Sequence, residues 1–404
     1  MAALSRSGLH CPGRPALILA PARHCWSPGN ARQEGTSVIP YRDLFGPGPS
    51  NVPDAVLIAL AQPTIGHLDP VFLEVMDDVV ADLRTCFMTK NPVTFVMSAP
   101  GSIGMEASFV NTVEPGDKVI ICINGVFGGR MKSICERIGA EVVTVEDEWG
   151  TPVDPEKLAD ALKAHPDTAV VAFVHAETST GVRSDAKTLA SLAKDAGCLV
   201  IADTVTSLSG VELRVDEWQL DVVYSGSQKC LSCVPGLAPI TFSPAAIEKA
   251  SQRKSPVPSW FCDTNLLAPY YMDGESKRAY HHTAPVNSLF AMREALRLAV
   301  DEGLPARWSR HTNAAEQLWK RLEAADLSLP VALEHRLAPL TVVSIPSNVN
   351  DAAVRERLLQ TRSIEIGAGL GKFAGNAWRI GLMGANASIE RADFIADALI
   401  EALG

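Results

Sequence analysis

The stretch Leu199-Val200-Ile201-Ala202-Asp203-Thr204 places four apolar residues in a row directly before an acid. A continuous apolar run, unlike an alternating one, is typical of a strand that is covered on both faces of a sheet. Similar runs occur on either side of it, at Lys118–Ile123, Glu141–Val145, Ala169–Val174, Asp221–Tyr224 and Ala238–Phe242. The sequence therefore predicts a buried sheet built from residues 94–243.

Helical stretches separate these runs, at Arg130–Ile138, Pro155–Ala164 and Asp185–Ala196. Alternation of strand and helix predicts an α/β fold in which a mainly parallel central sheet is sandwiched by helices. In such sheets, ligands bind beyond the carboxyl ends of the strands. The residues that follow each run are therefore the first candidates for a functional site.

A long helical stretch, Ser288–Asp301, leads into a region that reads helix, strand, helix, strand, helix. This order predicts a smaller α+β domain at the C-terminus. We divide the chain into an N-terminal extension (1–38), a large domain with an N-terminal arm (39–300) and a small C-terminal domain (301–404).

Composition excludes several functional classes. The chain has 404 residues, a net charge of −10, 47% hydrophobic residues and 20% charged residues, which is an ordinary globular balance. Nucleic acid is not an expected partner, because binding phosphates requires clustered Lys and Arg. No apolar run approaches the roughly 20 residues that a membrane-spanning helix needs.

Nine cysteines are scattered without a pattern, which indicates a reducing compartment rather than a disulfide framework. Cys230 and Cys233 have the C-x-x-C spacing, but a zinc site needs a second ligand pair, and none is visible nearby. His281 and His282 are adjacent, and we expect their side chains to point apart. The sequence therefore predicts no metal site.

The first 38 residues contain Arg6, Arg14, Arg23 and Arg32 and no acid before Glu34. This composition fits an organelle transit peptide. It also fits a disordered extension, because its Pro and Gly residues break any amphipathic helix. We favour the extension and predict a cytoplasmic protein; a mitochondrial location is the alternative if residues 1–38 are a transit peptide.

Three strand ends carry residues suited to chemistry. The turn Ser98–Gly104, which contains Gly101 and Ser102, precedes a helical stretch, and the N–H groups of a helix N-terminus suit a phosphate. Asp203 ends a buried strand, where it could pair with a cationic ring nitrogen or cap a helix. Lys229 follows Val223-Tyr224-Ser225-Gly226-Ser227-Gln228; desolvation there would favour the neutral amine that forms an imine, although a loop lysine on the surface is the alternative.

The order of these three features, with further motifs, resembles the class V aminotransferases of fold type I, within them the alanine–glyoxylate and serine–pyruvate group. The resemblance runs from about Leu44 to the C-terminus. Its motifs are Gly46-Pro47-Gly48-Pro49-Ser50-Asn51, Glu177-Thr178-Ser179-Thr180-Gly181, Ser225-Gly226-Ser227-Gln228-Lys229, Tyr280-His281-His282-Thr283 and Arg379-Ile380-Gly381.

The resemblance implies pyridoxal 5'-phosphate (PLP) as the cofactor, with Lys229 as the imine lysine and catalytic base and with Asp203 on the ring nitrogen. It implies further cofactor contacts from Gly101, Ser102 and Gln228 at the phosphate, Phe127 on the ring and Thr178 at the phenolic oxygen. Tyr280 and Thr283 would reach the phosphate of a second subunit in a homodimer, and Arg379 would bind the substrate carboxylate. Trp is familiar where this chain has Phe127, and Pro100 removes one N–H from the phosphate turn.

The activity implied is transfer of an amino group from a small amino acid, alanine or serine, to a small 2-oxo acid, glyoxylate or pyruvate. A ureidoglycine–glyoxylate aminotransferase remains the main alternative. A PLP-dependent lyase or cysteine desulfurase is a weaker one, since Gln228 stands where those enzymes usually have His, and Cys230 and Cys233 follow Lys229 too closely to reach a ring. A scaffold protein without catalysis would be expected to lack Lys229, Asp203 or Arg379, and all three are present.

Overall fold

The computed structural model describes residues 39–271 and 278–404. The N-terminal extension predicted for residues 1–38 lies outside these ranges, so its role and the compartment that depends on it stay predictions. Residues 42–404 form one compact unit. None of the helices in the described ranges is both long and apolar enough to cross a membrane.

The described residues contain fourteen strands, which form one large sheet and three small ones. The strands are β1 (Asp43–Leu44), β2 (Val93–Met97), β3 (Lys118–Ile123), β4 (Glu141–Glu146), β5 (Val170–Val174), β6 (Ala176–Glu177), β7 (Val182–Arg183), β8 (Leu199–Asp203), β9 (Val222–Tyr224), β10 (Ala238–Phe242), β11 (Leu340–Ser344), β12 (Ile364–Glu365), β13 (Gly367–Ala368) and β14 (Ala377–Gly381).

Twelve α-helices accompany them in the same ranges. They are α1 (Asp54–Leu60), α2 (Pro70–Phe87), α3 (Gly101–Thr112), α4 (Val126–Ile138), α5 (Pro155–Ala164), α6 (Ala186–Asp195), α7 (Pro244–Ser251), α8 (Thr264–Tyr271), α9 (Val286–Glu302), α10 (Leu304–Glu323), α11 (Asp351–Arg362) and α12 (Ile389–Leu403).

The large sheet has the strand order β2-β10-β9-β8-β5-β3-β4. Strands β9, β8, β5, β3 and β4 are parallel to one another, while β10 is antiparallel to both of its neighbours. Every residue of β5 and β10 is buried, as the continuous apolar runs predict, whereas β4 is only partly buried because it is an edge strand of the sheet. The mainly parallel α/β architecture is confirmed.

A second hydrophobic core surrounds the antiparallel sheet β11-β14-β13. Helix α10 connects the two cores, because Leu304 packs in the first and Leu318 in the second. The small α+β region therefore has the elements that its sequence indicates. The boundary drawn between residues 300 and 301 stays a prediction.

Helix starts differ in how their free N–H groups are satisfied. Helices α2, α5 and α7 begin with a capping side chain followed by proline, and Asp69, Asp154 and Ser243 each accept a hydrogen bond from their own first turn. Helices α3 and α4 begin after Pro100 and Gly125 without such a local cap in the described structure. These two helices both begin at the carboxyl edge of the sheet.

One predicted boundary is wrong by a full turn. The helix expected to begin at Arg130 begins at Val126, four residues earlier. The intervening Val-Phe-Gly-Gly residues have weak helix propensity, so local sequence does not indicate a helix there. Contacts from another part of the chain stabilise this first turn, as described below.

Two neighbouring glycines in α4 allow a controlled test of packing. A Cβ at Gly128 would lie 2.7 Å from the main-chain oxygen of Cys122, whereas one at Gly129 would meet no described atom within 4 Å. We expect Gly128→Ala to lower the free energy of unfolding by about 1–3 kcal/mol through overpacking. Gly129→Ala should raise it by about 0.5–1 kcal/mol through helix propensity.

Urea denaturation of the two variants measures this difference. Equal shifts in the denaturation midpoint would contradict the packing of α4 against β3.

Candidate active site

The carboxyl ends of β2, β8 and β9 bring the three predicted segments together at one edge of the sheet. Asp203 is paired in register with Tyr224 on the neighbouring parallel strand. A Cβ on Gly101 would lie 3.2 Å from the main-chain oxygen of Ser225 and 3.3 Å from a methyl of Val205. The start of α3 therefore packs directly against the segments that follow β8 and β9, and a side chain at position 101 would fill this space.

This space has the features of an anion cradle. The first N–H groups of α3 lack a side-chain cap within the described residues, and a helix N-terminus favours negative charge. The amide oxygen of Gln228 is buried without a hydrogen-bond partner in the described ranges. Because buried polar groups normally have partners, and because an amide can turn to present its N–H₂ group, this side chain is suited to a ligand.

Asp203 is buried and held by two donors. One carboxylate oxygen accepts a hydrogen bond from the N–H of Val205 at 2.8 Å, and the other accepts one from the hydroxyl of Tyr224 at 2.8 Å. Burial raises the pKa of Asp203 to about 6, although both hydrogen bonds oppose the shift. The alternative interpretation as a helix N-cap is wrong, because residues 205–210 form turns rather than a helix.

Lys229 lies in the same site rather than on an exposed loop. Its Nζ donates a hydrogen bond to the main-chain oxygen of Pro47, and Ser50 donates to the main-chain oxygen of Lys229 at 2.8 Å. Burial, followed by the positive charge of Arg379, lowers the pKa of Lys229 to about 8; the negative charge of Asp203 opposes this. About a tenth of this amine is therefore neutral at pH 7, compared with fewer than one in a thousand for an ordinary lysine.

Arg379 reaches the site from β14 of the small sheet. Its Nε donates to the main-chain oxygen of Ala368 at 2.8 Å and its Nη1 to that of Thr178 at 3.4 Å. The hydroxyl of Thr178 contacts the hydroxyl of Thr206 at 3.0 Å. Burial lowers the pKa of Arg379 to about 10, so the guanidinium is still charged at neutral pH. Two anchored nitrogens fix its plane, and the remaining N–H groups suit a carboxylate.

Phe127 and Ser102 are linked through a residue that the sequence did not indicate. The guanidinium of Arg130 lies 4.9 Å from the ring centre of Phe127 and donates to the hydroxyl of Ser102 at 3.2 Å. Its positive charge also lowers the pKa of Asp203, against the larger effect of burial. Arg130 is therefore a further candidate for the anion cradle.

Tyr280 and Thr283 are exposed rather than turned into this site, and Tyr280 is 61% exposed. His282, between them, contacts the hydroxyl of Ser98 at 2.7 Å. Ser98 begins the turn Ser98–Gly104 that leads into α3, which we call the cradle turn. The expectation that His281 and His282 point apart is wrong, since their Nδ1 atoms lie 2.8 Å from each other. The segment is irregular here, and the strand rule of alternating sides does not apply to it.

Sequence reasoning missed several contacts that hold the site. Tyr224 could have been flagged, because a buried tyrosine hydroxyl normally has a partner. Glu177 is a fully buried acid beside Phe127. It belongs to the Glu177–Gly181 motif, but the sequence indicates no role for this acid. The contact between Lys229 and the main-chain oxygen of Pro47 cannot be predicted from sequence, since every residue type carries this oxygen.

Comparisons with known proteins identify the family to which this fold belongs. An α/β sheet with a lysine, an acid and an arginine converging at its carboxyl edge fits the PLP transferases of fold type I. The family model for Aminotransferase class-V matches residues 44–378. The chain belongs to the class-V aminotransferase family.

Two similar relatives and one solved structure extend this result. Alanine–glyoxylate aminotransferase from Drosophila melanogaster is 37% identical over 367 residues, which cover 90% of this chain and 93% of that protein. (S)-ureidoglycine–glyoxylate transaminase from Bacillus subtilis is 34% identical, with coverage of 88% and 89%. The crystal structure of alanine–glyoxylate aminotransferase from Nostoc sp. superposes with a TM-score of 0.89 at 46% identity, with coverage of 92% and 98%.

The lowered pKa of Lys229 can be measured chemically. Cyanate carbamylates neutral amines, so the rate at Lys229 in protein freed of cofactor should level off above its pKa of about 8. An unperturbed lysine titrates at about 10.4, and its rate should continue to rise to that pH. Mass spectrometry of peptides labelled between pH 6 and 11 measures the carbamylation rate of Lys229 and of ordinary lysines. A Lys229 rate that still rises tenfold between pH 9 and 10 would contradict the lowered pKa.

Proposed function

We propose that this aminotransferase uses PLP to move an amino group from a small amino acid, alanine or serine, to a small 2-oxo acid, glyoxylate or pyruvate. The observation that carries the proposal is the convergence of Lys229, Asp203 and Arg379 on one site. The names of the similar relatives support the glyoxylate acceptor and the alanine donor.

The residues present fit PLP. When bound, PLP supplies an aldehyde that bonds to a lysine amine and a ring that withdraws electrons from the substrate. Gly101, Ser102 and Gln228 would hold its phosphate, because the α3 N-terminus is uncapped locally and the Gln228 oxygen lacks a described partner. Asp203 would face the ring nitrogen, where its carboxylate favours the protonated ring.

Three further residues would complete the site. Phe127 would stack on the ring with less contact area than a tryptophan. Thr178 would lie near the phenolic oxygen, since its hydroxyl is held by Thr206 on the segment that follows Asp203. Arg379 would bind the substrate carboxylate through the N–H groups that Ala368 and Thr178 leave available.

Lys229 would hold and move the proton in the reaction. Its amine would take a proton from the substrate carbon, and a pKa of about 8 suits proton exchange near neutral pH. The oxygen of Pro47 accepts a hydrogen bond from Nζ and so orients the amine. The main chain at Gly48 packs closely against the lysine, since a Cβ there would overlap it.

We propose further that the protein is a homodimer with shared active sites. Tyr280 and Thr283 are exposed and next to His282, which touches the chain's own cradle turn through Ser98. They are therefore available to the phosphate of a neighbouring subunit. A closed two-fold dimer would use the same pair of residues twice.

A ureidoglycine–glyoxylate activity is the second candidate, favoured by the 34% identity to the Bacillus subtilis transaminase. Desulfurase chemistry lacks support. It needs an accessible thiolate, yet burial raises the pKa of both Cys230 and Cys233 to about 12. The other cysteines of the described ranges are also buried.

A half-reaction panel tests the activity. The purified protein with PLP should absorb visible light through the Lys229-linked cofactor, and this band should fall when alanine or serine is added. It should return on addition of glyoxylate or pyruvate. A band that falls with ureidoglycine but not with alanine or serine would favour the second candidate, and one that no small amino acid changes would refute an aminotransferase of this specificity.

Lys229→Ala provides the control for this panel. We expect this variant to lose the visible band. Its turnover should fall about 10²–10⁴-fold, since the substitution removes a general base. Lys163→Ala, at an exposed lysine on α5, should leave both unchanged. Wild-type turnover in the Lys229 variant would overturn the role assigned to this residue.

Mixed dimers test whether sites are shared. Lys229→Ala chains and Tyr280→Phe/Thr283→Val chains should each show little activity at limiting PLP. After co-refolding, a hybrid dimer contains one site in which Lys229 and the Tyr280–Thr283 pair are both intact. Activity should recover to roughly a quarter of wild type in an equal mixture, whereas no recovery would show that each site is built from one chain.

A further inference from the structure

The first turn of α4 is capped by residues that lie about fifty positions later in the chain. The N–H of Val126 donates to the hydroxyl of Ser179 at 2.9 Å, and the N–H of Phe127 donates to a carboxylate oxygen of Glu177 at 3.2 Å. Gly125, which precedes the helix, supplies no side-chain cap. Two of the free N–H groups of this helix are therefore satisfied by the segment that begins at β6.

Both carboxylate oxygens of Glu177 accept hydrogen bonds. Its other oxygen accepts the main-chain N–H of Ser179 at 3.1 Å and the hydroxyl of Ser179 at 2.5 Å. A Cβ at Gly125 would lie 2.4 Å from the carboxyl carbon of Glu177. Glycine is therefore required at position 125 for the carboxylate to approach the helix start.

We infer that Glu177 is a positioning residue for Phe127: by capping α4 from a separate segment, it sets the angle at which the Phe127 ring meets the face of the cofactor. This inference rests on the proposed PLP function. It assigns a task to a buried acid that the catalytic scheme does not otherwise use. The smaller ring of Phe127 makes this orientation matter more, because less contact area is available for stacking.

The charge state of Glu177 should control the cap. Burial raises the pKa of Glu177 to about 7, and the hydrogen bonds from Ser179 and Phe127 oppose the shift. Asp203 on β8 also raises it, and the charge of Glu177 acts in turn on Arg379 of β14 and Tyr224 of β9. Above pH 7 the carboxylate accepts from both sides; below it, a proton on one oxygen removes an acceptor.

Glu177→Gln separates these states. The glutamine amide has one acceptor oxygen, which would accept the two hydrogen bonds from Ser179. The NH₂ group of the amide would then face the N–H of Phe127, and two donors cannot bond to each other. We expect the dissociation constant of PLP for the full-length protein freed of cofactor to rise about tenfold at pH 8.5. At pH 6 the ratio of variant to wild type should fall toward one, because wild-type Glu177 is then protonated as well.

A double-mutant cycle shows whether the effect passes through Phe127. In a Phe127→Ala background, Glu177→Gln should leave the dissociation constant unchanged, since no ring remains to be positioned. Ser179→Ala tests the other member of the cap and should weaken PLP binding only when Phe127 is present. Glu136→Gln makes the same chemical change at an exposed position of α4 and should have no effect at either pH.

The outcomes distinguish this inference from the proposed function. A wild-type protein that binds no PLP overturns both. If the wild-type protein binds PLP, two results overturn the positioning role alone. One is a Glu177→Gln effect of equal size with Phe127 and with Phe127→Ala. The other is an effect of equal size at pH 6 and at pH 8.5. Thermal midpoints of the cofactor-free variants show whether Glu177→Gln folds; if it does not, Ser179→Ala in both backgrounds decides by the same criterion.

Discussion

A buried acid and a half-buried lysine at one edge of a parallel sheet are the constraint on which the rest of this structure depends. Asp203 is buried at the end of β8 and Lys229 packs behind Pro47, so neither group has its ordinary hydration. Burying charge is costly unless the surroundings supply hydrogen bonds. The hydroxyl of Tyr224 and the N–H of Val205 supply them to the acid. The pKa values of the acid and the amine move toward neutrality as a result, to about 6 and about 8.

Close approach of main chain to this edge requires glycine at particular points. Side chains at Gly48 and Gly125 would overlap Lys229 and Glu177, and one at Gly101 would fill the cradle beside Ser225. Gly48 also has a positive φ of 108°, which favours glycine. Small residues here let three chain segments converge within reach of one small ligand. The N–H groups at the start of α3, which no side chain caps locally in the described ranges, face this region and suit an anion.

The small sheet contributes the residue that would recognise substrate. Arg379 lies on β14, and its guanidinium is held by oxygens of Ala368 in the same sheet and Thr178 beside the large one. Glu177 on β6, next to Thr178, links this region to the start of α4. The site therefore draws on residues of both sheets, and α10 packs in both hydrophobic cores.

The sequence by itself determined the α/β class, most strands of the large sheet and the strand-end candidates Lys229 and Asp203, while Arg379 came from the resemblance to the aminotransferase family. It could do so because continuous apolar runs and strand-end polar residues are local patterns that survive without knowledge of partners. Only the tertiary structure decided that α4 begins at Val126, that Tyr224 holds Asp203 and that the oxygen of Pro47 meets Lys229. Each of these joins segments far apart in the chain or uses main-chain atoms that every residue carries. Such contacts leave no periodicity or spacing in the sequence, so they emerge only when the sheet and its crossing segments are assembled.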